Sequence, residues 1–235
     1  METILTSLRN ELSTIADEKT RKQGEKFFKE EVSMYGIKSA QVTAISKKYY
    51  QKIKNLEKNE IFTLCEELWE SGIMEECMIA CQWSEKQSKY FVEEDIELFE
   101  RWISKYVSNW ATCDTLCNHT VGSIVTMYPK LTQYMKQWSK SPNRWMRRAS
   151  AVTFIIPARK GLFLDDIFEI AQTLLIDTDD LVQKGYGWML KAASQAYQQE
   201  VFEFIMKNKK EMPRTALRYA IEKMPEDLRK KAMAK

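Results

Sequence analysis

The fold is decided by four related segments: EECMIACQW at 75–83, WATCDTLCN at 110–118, WMRRASAVTFI at 145–155 and VQKGYGWML at 182–190. Each follows a polar turn and is rich in apolar side chains. If Glu76, Thr112, Arg148 and Lys184 are equivalent positions, consecutive segments are 36 residues apart. A fifth segment, MPRTALRYAI at 212–221, follows after a shorter step of 30 residues, counted to Arg214. Periods of this length are typical of helix-pair solenoids, because a single helix pair cannot bury its own apolar face and stacks on its neighbours.

Helical patterning continues outside these segments. The stretch IFTLCEELW at 61–69 carries apolar residues at i, i+3, i+4, i+7 and i+8, which is the stripe of an amphipathic helix. Short polar breaks, such as KSPN at 140–143 and PARKG at 157–161, separate the predicted helices. The chain contains only seven Gly and five Pro, so it has few residues that break helices. We therefore predict an all-α fold, with residues 1–235 forming a single domain whose stacked helix pairs build one concave wall.

The charge of the chain is distributed unevenly, although its net value is only +3. Residues 60–100 carry 12 acidic and 2 basic side chains, whereas residues 205–235 carry 10 basic and 4 acidic ones. This polarity suits a polyanion that approaches one side of the molecule, but it is equally compatible with solvated helix faces that bind nothing. No apolar run approaches the roughly 18 residues of a membrane span, and the N-terminus lacks the apolar core of a signal peptide. A cytoplasmic protein without membrane contact is expected.

Cysteine and histidine usage argues against metal chemistry. The five cysteines are odd in number and include no C-x-x-C motif, which disfavours a disulfide framework or a common zinc spacing. Buried reduced thiols are the favoured interpretation, and the alternative is a zinc site built from the pairs Cys77/Cys81 and Cys113/Cys117. The only histidine, His119, is more often structural than catalytic in such a setting. No glycine-rich phosphate loop occurs, so we predict neither a metal nor a cofactor.

One aromatic and acidic pair stands out among the apolar segments. Trp110 and Asp114 are four residues apart, so on a helix they share a face. Trp188 lies about two 36-residue units beyond Trp110, and equivalent positions in a solenoid line the same wall. The competing interpretation is that each tryptophan fills the core and that Asp114 is a helix cap or a surface charge.

Basic residues surround this pair in the later segments. Arg147 and Arg148 diverge by about 100° on a helix, so one of them can point into the concave wall. Lys184, Lys191 and Arg214 extend the basic character along the array, and arginine suits bidentate phosphate contacts. From the residues alone, these features predict a binding groove with a possible catalytic acid, and they define no reaction.

Five motifs together resemble the AlkD-like family of DNA alkylation repair proteins, over essentially the whole chain. They are MYGIKS at 34–39, NWATCD at 109–114, WMRRASAV at 145–152, QKGYGWML at 183–190 and MPRTALRYAIEKM at 212–224. The resemblance implies a right-handed α-α superhelix of HEAT-like repeats, a monomer that wraps double-stranded DNA. In active members it implies a DNA glycosylase of base excision repair, a hydrolase that excises cationic N3- and N7-alkylated purines without flipping the base.

The resemblance also implies roles for individual residues. Asp114 matches the catalytic carboxylate, and Trp110 and Trp188 match the aromatic walls beside the lesion. Contact with DNA is implied for Arg148, Phe27, Lys47, Arg159 and Lys191, to which the basic pattern adds Arg147 and Arg214.

The chain departs from the family pattern at a few positions. Asn109 and Ala111 replace a Trp and an Asp that flank the motif in several members, and Phe27 replaces a tyrosine. Lys191 stands where arginine is common, which forfeits bidentate geometry. These differences affect DNA contacts more than the acidic and aromatic group.

The prediction is therefore a monofunctional alkylpurine DNA glycosylase acting on alkylated duplex DNA. The alternatives are a non-catalytic HEAT-repeat module that binds branched or distorted DNA, and a protein-binding solenoid.

Overall fold

The computed structural model describes residues 3–234, and in that range it contains sixteen α-helices and no strand. Two 3-10 turns, Ser88–Tyr90 and Pro129–Leu131, and one π-helical segment, Leu116–Val121, complete the regular structure. The helices are α1 Ile4–Thr14, α2 Glu18–Glu25, α3 Ser39–Ile53, α4 Lys58–Glu70, α5 Met74–Glu85, α6 Asp95–Tyr106, α7 Trp110–Thr115, α8 Gly122–Met127, α9 Thr132–Trp138, α10 Arg144–Val152, α11 Ile155–Arg159, α12 Leu164–Thr173, α13 Asp180–Ala193, α14 Gln198–Asn208, α15 Arg214–Ile221 and α16 Glu226–Met233.

The helices form two layers of a helical-repeat superhelix. In the inner layer α3, α5, α7, α10, α13 and α15 each pack against the next. Behind them α4 packs on α5, α9 on α10, and α12 and α14 on α13. The five equivalent positions predicted from the sequence lie one in each inner helix from α5 to α15, namely Glu76, Thr112, Arg148, Lys184 and Arg214. The predicted all-α repeat is confirmed.

A continuous apolar core runs between the layers from Leu5 to Ala232. All five cysteines are buried in it as free thiols, as the favoured interpretation of the sequence predicted. Among residues 3–234, no three His, Cys, Asp or Glu side chains are grouped so that they could hold a metal ion. None of the helices in this range combines the length and apolarity needed to cross a bilayer.

Two positions show how local sequence sets the packing. A Cβ at Gly187 would lie 2.7 Å from the Ala216 carbonyl oxygen, so the close approach of α13 to α15 requires glycine. The break predicted at 157–161 is partly wrong, because α11 includes Pro157 and ends at Arg159. Pro157 lies in the first turn of α11, where a backbone N–H has no partner within the helix, so the helix tolerates it.

Candidate active site

A cavity of about 720 Å³, here called the central cavity, opens between the inner helices. Residues from α2, α3, α5, α7, the π-helical segment, α11 and α13 line it, together with the segment that joins α2 to α3. Trp110 and Asp114 from α7 and Trp188 from α13 all contribute to its wall. The structure thus brings together the three residues that the sequence had suggested as a group.

The seven tryptophans divide into two sets. Five are core residues with 0–8% of their surface exposed: Trp69, Trp83, Trp102, Trp138 and Trp145. Only Trp110 and Trp188 are partly exposed, and both line the central cavity. The interpretation of tryptophan as core filler therefore holds for five of the seven and does not hold for the two that the repeat spacing had singled out.

The start of α7 sets the direction of Trp110 and Asp114. Asn109 caps the helix, because its side-chain oxygen accepts a hydrogen bond from the Thr112 backbone N–H at 3.0 Å. Trp110 is the first helical residue and Asp114 follows one turn later on the same face. The chain then widens into the π-helical segment, in which the Asn118 side chain donates to the Asp114 carbonyl oxygen at 2.9 Å. Such π segments are frequent at functional sites.

The Asp114 carboxylate forms a two-point ion pair with Arg148 of α10. Arg148 Nε lies 2.8 Å from Asp114 Oδ1, and Arg148 Nη2 lies 2.7 Å from Oδ2. The side chains of Asp114 and Arg148 are 13% and 6% exposed. Arg148 Nη1 also donates to the Leu181 carbonyl oxygen at the start of α13. One guanidinium therefore ties the carboxylate of α7 to the next two inner helices.

Burial and the ion pair have opposite effects on Asp114. Burial raises the pKa of this carboxyl above its usual value, while the charge and hydrogen bonds of Arg148 lower it, and the net direction is upward. A carboxylate held between these two influences is fixed in place and poorly solvated, which is the setting in which a charge acts most strongly on a nearby reacting group.

The predicted DNA contacts fall into two groups. Lys47, Arg159 and Phe27 are exposed, and the last two line the central cavity; the Phe27 side chain is 76% exposed. Arg214 is exposed at the start of α15 and reaches the Met233 carbonyl oxygen at 3.4 Å.

The other residues predicted to contact DNA form ion pairs within the protein. Arg147 pairs with Asp177 at 2.6 Å and Lys191 with Glu222 at 2.9 Å, while Arg148 is buried behind Asp114 and is not among the residues lining the cavity. A role for these three in contacting DNA stays a prediction.

An apolar part of the cavity lining was not predicted from the sequence. This part includes the apolar side chains of Phe28, Met34, Met74 and Met78. Two of these residues come from the segment between α2 and α3, whose course depends on tertiary contacts. The only sequence signal was the MYGIKS motif, whose function had not been explained.

The MYGIKS motif forms a turn whose backbone N–H groups bind a buried carboxylate, that of Glu75. Glu75 is 6% exposed and accepts hydrogen bonds from the backbone N–H groups of Tyr35, Gly36 and Ile37, at 3.0, 2.9 and 3.0 Å. Gly36 has φ of 83°, and a Cβ there would lie 2.4 Å from the Asp17 carbonyl oxygen. Glycine is therefore required at this turn.

His119 lies at the edge of the central cavity, in the π-helical segment. Its Nδ1 is 3.1 Å from a carboxylate oxygen of Glu85, and that hydrogen bond raises the pKa of His119 although burial opposes the rise. The imidazole and the carboxylate are both about half exposed. This pair places a further titratable group beside the site, separate from Asp114.

The fold and site together define a helical-repeat protein with an acidic and aromatic cavity on its inner layer. The profile of a protein family described as DNA alkylation repair enzyme matches residues 8–224. This chain therefore belongs to that family. No curated protein sequence matches it. A solved structure described as a predicted DNA alkylation repair enzyme from Enterococcus faecalis has the same fold: its TM-score is 0.81 at 16% identity, over 89% of this chain and 97% of that one.

Proposed function

We propose that this chain is a DNA glycosylase that hydrolyses the N-glycosidic bond of cationic N3- and N7-alkylated purines in double-stranded DNA. The observation that carries the proposal is the joint position of the Asp114 carboxylate and the Trp110 and Trp188 indoles around one cavity. Membership of a family of DNA alkylation repair enzymes supports alkylated DNA as the substrate. We further propose that the enzyme acts as a monomer of HEAT-like repeats and uses neither a metal nor a cofactor.

The chemistry follows from the charge of the lesion. An N3- or N7-alkylated purine is cationic, so it departs as a neutral base and needs no strong general acid. As the bond between C1′ and the purine nitrogen breaks, its electron pair moves to the purine and positive charge develops on the deoxyribose. The Asp114 carboxylate stabilises that charge and orients a water molecule. The water oxygen bonds to C1′, its proton passes to the carboxylate or to solvent, and an abasic site remains.

The ion pair with Arg148 is compatible with this role. An ionised carboxylate offers about four lone-pair positions, and Arg148 occupies two of them. The others remain for a water molecule or for the sugar in the central cavity. Arg148 also prevents rotation of the carboxylate, so that no reorganisation is needed when charge develops.

The aromatic residues complement the cationic nucleotide. The faces of Trp110 and Trp188 carry negative quadrupole density, which favours a nearby cation by about 0.5–2 kcal/mol each. The exposed Phe27 ring is suited to an apolar contact with the DNA, while Lys47 and Arg159 are suited to phosphates. Because the proposed contacts act on the sugar and on the positive charge, we propose that the base does not need to be flipped out of the helix.

The proposal is tested by incubating the protein with methylated duplex DNA and measuring free 7-methylguanine and 3-methyladenine by chromatography. We expect release of at least one of these bases in the presence of a metal chelator. Salt-sensitive DNA binding without any base release would instead support a non-catalytic module that binds branched or distorted DNA. Absence of both binding and release would leave a protein-binding solenoid.

Substitution of Trp110 with alanine tests the aromatic wall. We expect single-turnover base release to slow by about two- to thirtyfold, which corresponds to the loss of one cation–π contact. Trp110→Phe should retain part of the rate, because phenylalanine offers a weaker π face. Trp138→Phe, in the buried outer layer, serves as the control and should keep the wild-type rate. Full activity in Trp110→Ala would dismiss the role of this indole.

A further inference from the structure

The segment that joins α2 to α3, residues 26–38, crosses from the N-terminal helices to the middle of the array, and we call it the crossing segment. Its second half is fastened to α5. Three of its backbone N–H groups donate to Glu75, and the Met74 N–H donates to the Ser33 carbonyl oxygen at 2.9 Å. Val32 is 8% exposed and belongs to the buried residues. This half of the segment is therefore part of the folded body.

The first half of the crossing segment holds the Trp110 side chain. The Phe28 ring stacks on the indole, with centroids 5.4 Å apart and an interplanar angle of 25°. The indole Nε1–H donates to the Phe27 carbonyl oxygen at 3.4 Å. Both the face and the polar edge of Trp110 are thus fixed by two consecutive residues from a distant part of the sequence.

Two ion pairs hold this half against later helices. Lys29 pairs with Asp180 at the start of α13, at 3.0 Å, and Glu30 pairs with Arg144 at the start of α10, at 3.2 Å. The Lys29 side chain is 74% exposed, so its pair contributes little. The Glu30 side chain is only 19% exposed, so its contact with Arg144 is less screened by solvent than the Lys29 pair, although Arg144 also pairs with Asp179 at 2.9 Å.

We propose that Phe28 is a positioning residue, which holds the Trp110 indole in the orientation that the central cavity requires, and that Glu30 helps to hold Phe28 in place. Where catalysis is concerned, this inference rests on the proposed glycosylase function. Stacking occupies one side of the indole and restricts its side-chain rotamers, so the other side is presented in a single orientation. A preorganised indole stabilises the cationic nucleotide without a conformational cost at the moment of binding.

The position of Trp110 is measured by NMR of the indole N–H groups, independently of activity. The seven tryptophans give seven signals, and the Trp110 signal is identified by its loss in Trp110→Phe. We expect Phe28→Ala to displace or broaden this signal alone, whereas Phe28→Tyr, which keeps an aromatic ring, restores it. Glu30→Gln should displace it less. Phe204→Ala removes one ring of the stacked pair Phe168–Phe204, 4.9 Å apart in α12 and α14, and should leave the signal unchanged.

The same variants are then compared in single-turnover base release and in duplex binding. We expect Phe28→Ala to slow release by about two- to tenfold with the duplex Kd within about twofold of the wild-type value. Phe28→Tyr should recover most of the rate, and Phe204→Ala should keep it.

The outcomes separate the two proposals. An unmoved Trp110 signal in Phe28→Ala, or a rate no lower than that of Phe204→Ala, would overturn the positioning role. If the wild-type protein releases no base, the proposed function fails, and the displacement of the Trp110 signal still decides the role of Phe28.

Discussion

Replacement of Asp114 with asparagine is expected to slow the release of 7-methylguanine from methylated duplex DNA by about 10²–10³-fold. Asparagine keeps the shape of the side chain and removes its negative charge, so the developing charge on the deoxyribose loses its counterion. Duplex binding, measured by fluorescence anisotropy, should remain within a few-fold of the wild-type affinity, because phosphate contacts supply most of it. This split between rate and affinity is the signature of a group that acts in the transition state.

The same substitution leaves the Arg148 guanidinium buried without a carboxylate, which costs about 3–5 kcal/mol of stability when such a pair is broken. A matched control is Asp95→Asn. The Asp95 carboxylate is also nearly buried, 10% exposed, and pairs with Lys58 at 2.6 Å between α6 and α4, outside the central cavity. We expect Asp95→Asn to unfold at a lower temperature yet to keep the rate of base release. Comparable rates in Asp114→Asn and the wild type would remove Asp114 from the mechanism.

Substitution of Arg148 with methionine is the second change with a large expected effect. The Asp114 carboxylate would lose both of its charged hydrogen bonds, and the Leu181 carbonyl oxygen would lose its donor. We expect a loss of about 3–5 kcal/mol in the free energy of unfolding, measured by chemical denaturation, and at least a tenfold loss in base release at neutral pH.

The pH dependence of the Arg148→Met variant is the sharper test. Burial raises the pKa of Asp114 and Arg148 opposes the rise, so removal of Arg148 should raise this pKa further. Because the active form is the ionised one, the acidic limb of the rate profile should move to higher pH. A raised pKa also means that the folded protein binds the Asp114 proton more tightly than the unfolded chain does. The contribution of this proton to stability is therefore complete below the unfolded-state pKa and is lost as the pH rises through the folded-state pKa. The pH range over which this contribution is lost should be wider in Arg148→Met.

Arg9→Met provides the control for this profile. Arg9 Nε lies 2.9 Å from a carboxylate oxygen of Glu76, which is 1% exposed, and Arg9 Nη2 donates to the Glu67 carbonyl oxygen at 3.0 Å. The pattern of contacts resembles that of Arg148, but it joins α1 to α4 and α5, and the Arg9 side chain is 37% exposed. We expect Arg9→Met to lower the free energy of unfolding and to leave the pH dependence of base release unchanged. An identical profile in Arg148→Met and the wild type would contradict the coupling between Arg148 and Asp114.

Much of the fold was readable from the sequence because repeat packing is local. The 36-residue spacing reflects one helix pair per unit, and the equivalent positions indeed lie in successive inner helices. The convergence of Trp110, Asp114 and Trp188 around one cavity was predictable for the same reason, since equivalent faces of stacked units line one wall.

The remaining features depend on contacts between distant residues. The burial of Arg148 behind Asp114 could not be predicted from helical geometry, which allowed either Arg147 or Arg148 to face the concave wall. Phe28, which lies in a segment without regular structure, stacks on Trp110 although the two residues are 82 positions apart. Neither the periodicity nor the composition of the sequence carries information about such a contact between distant residues.

The five cysteines are potential targets of the alkylating electrophiles that a DNA alkylation repair enzyme encounters. Electrophiles that methylate DNA also attack protein sulfur, and the reactive form of cysteine is the thiolate. Burial raises the pKa of Cys65, Cys77, Cys81 and Cys117, and the Cys113 side chain is sealed in the same core. The four thiols with a raised pKa are therefore poor nucleophiles, and burial keeps all five away from solvent. The packing that holds the repeats together thus also shields these thiols from the reagents whose damage its family repairs.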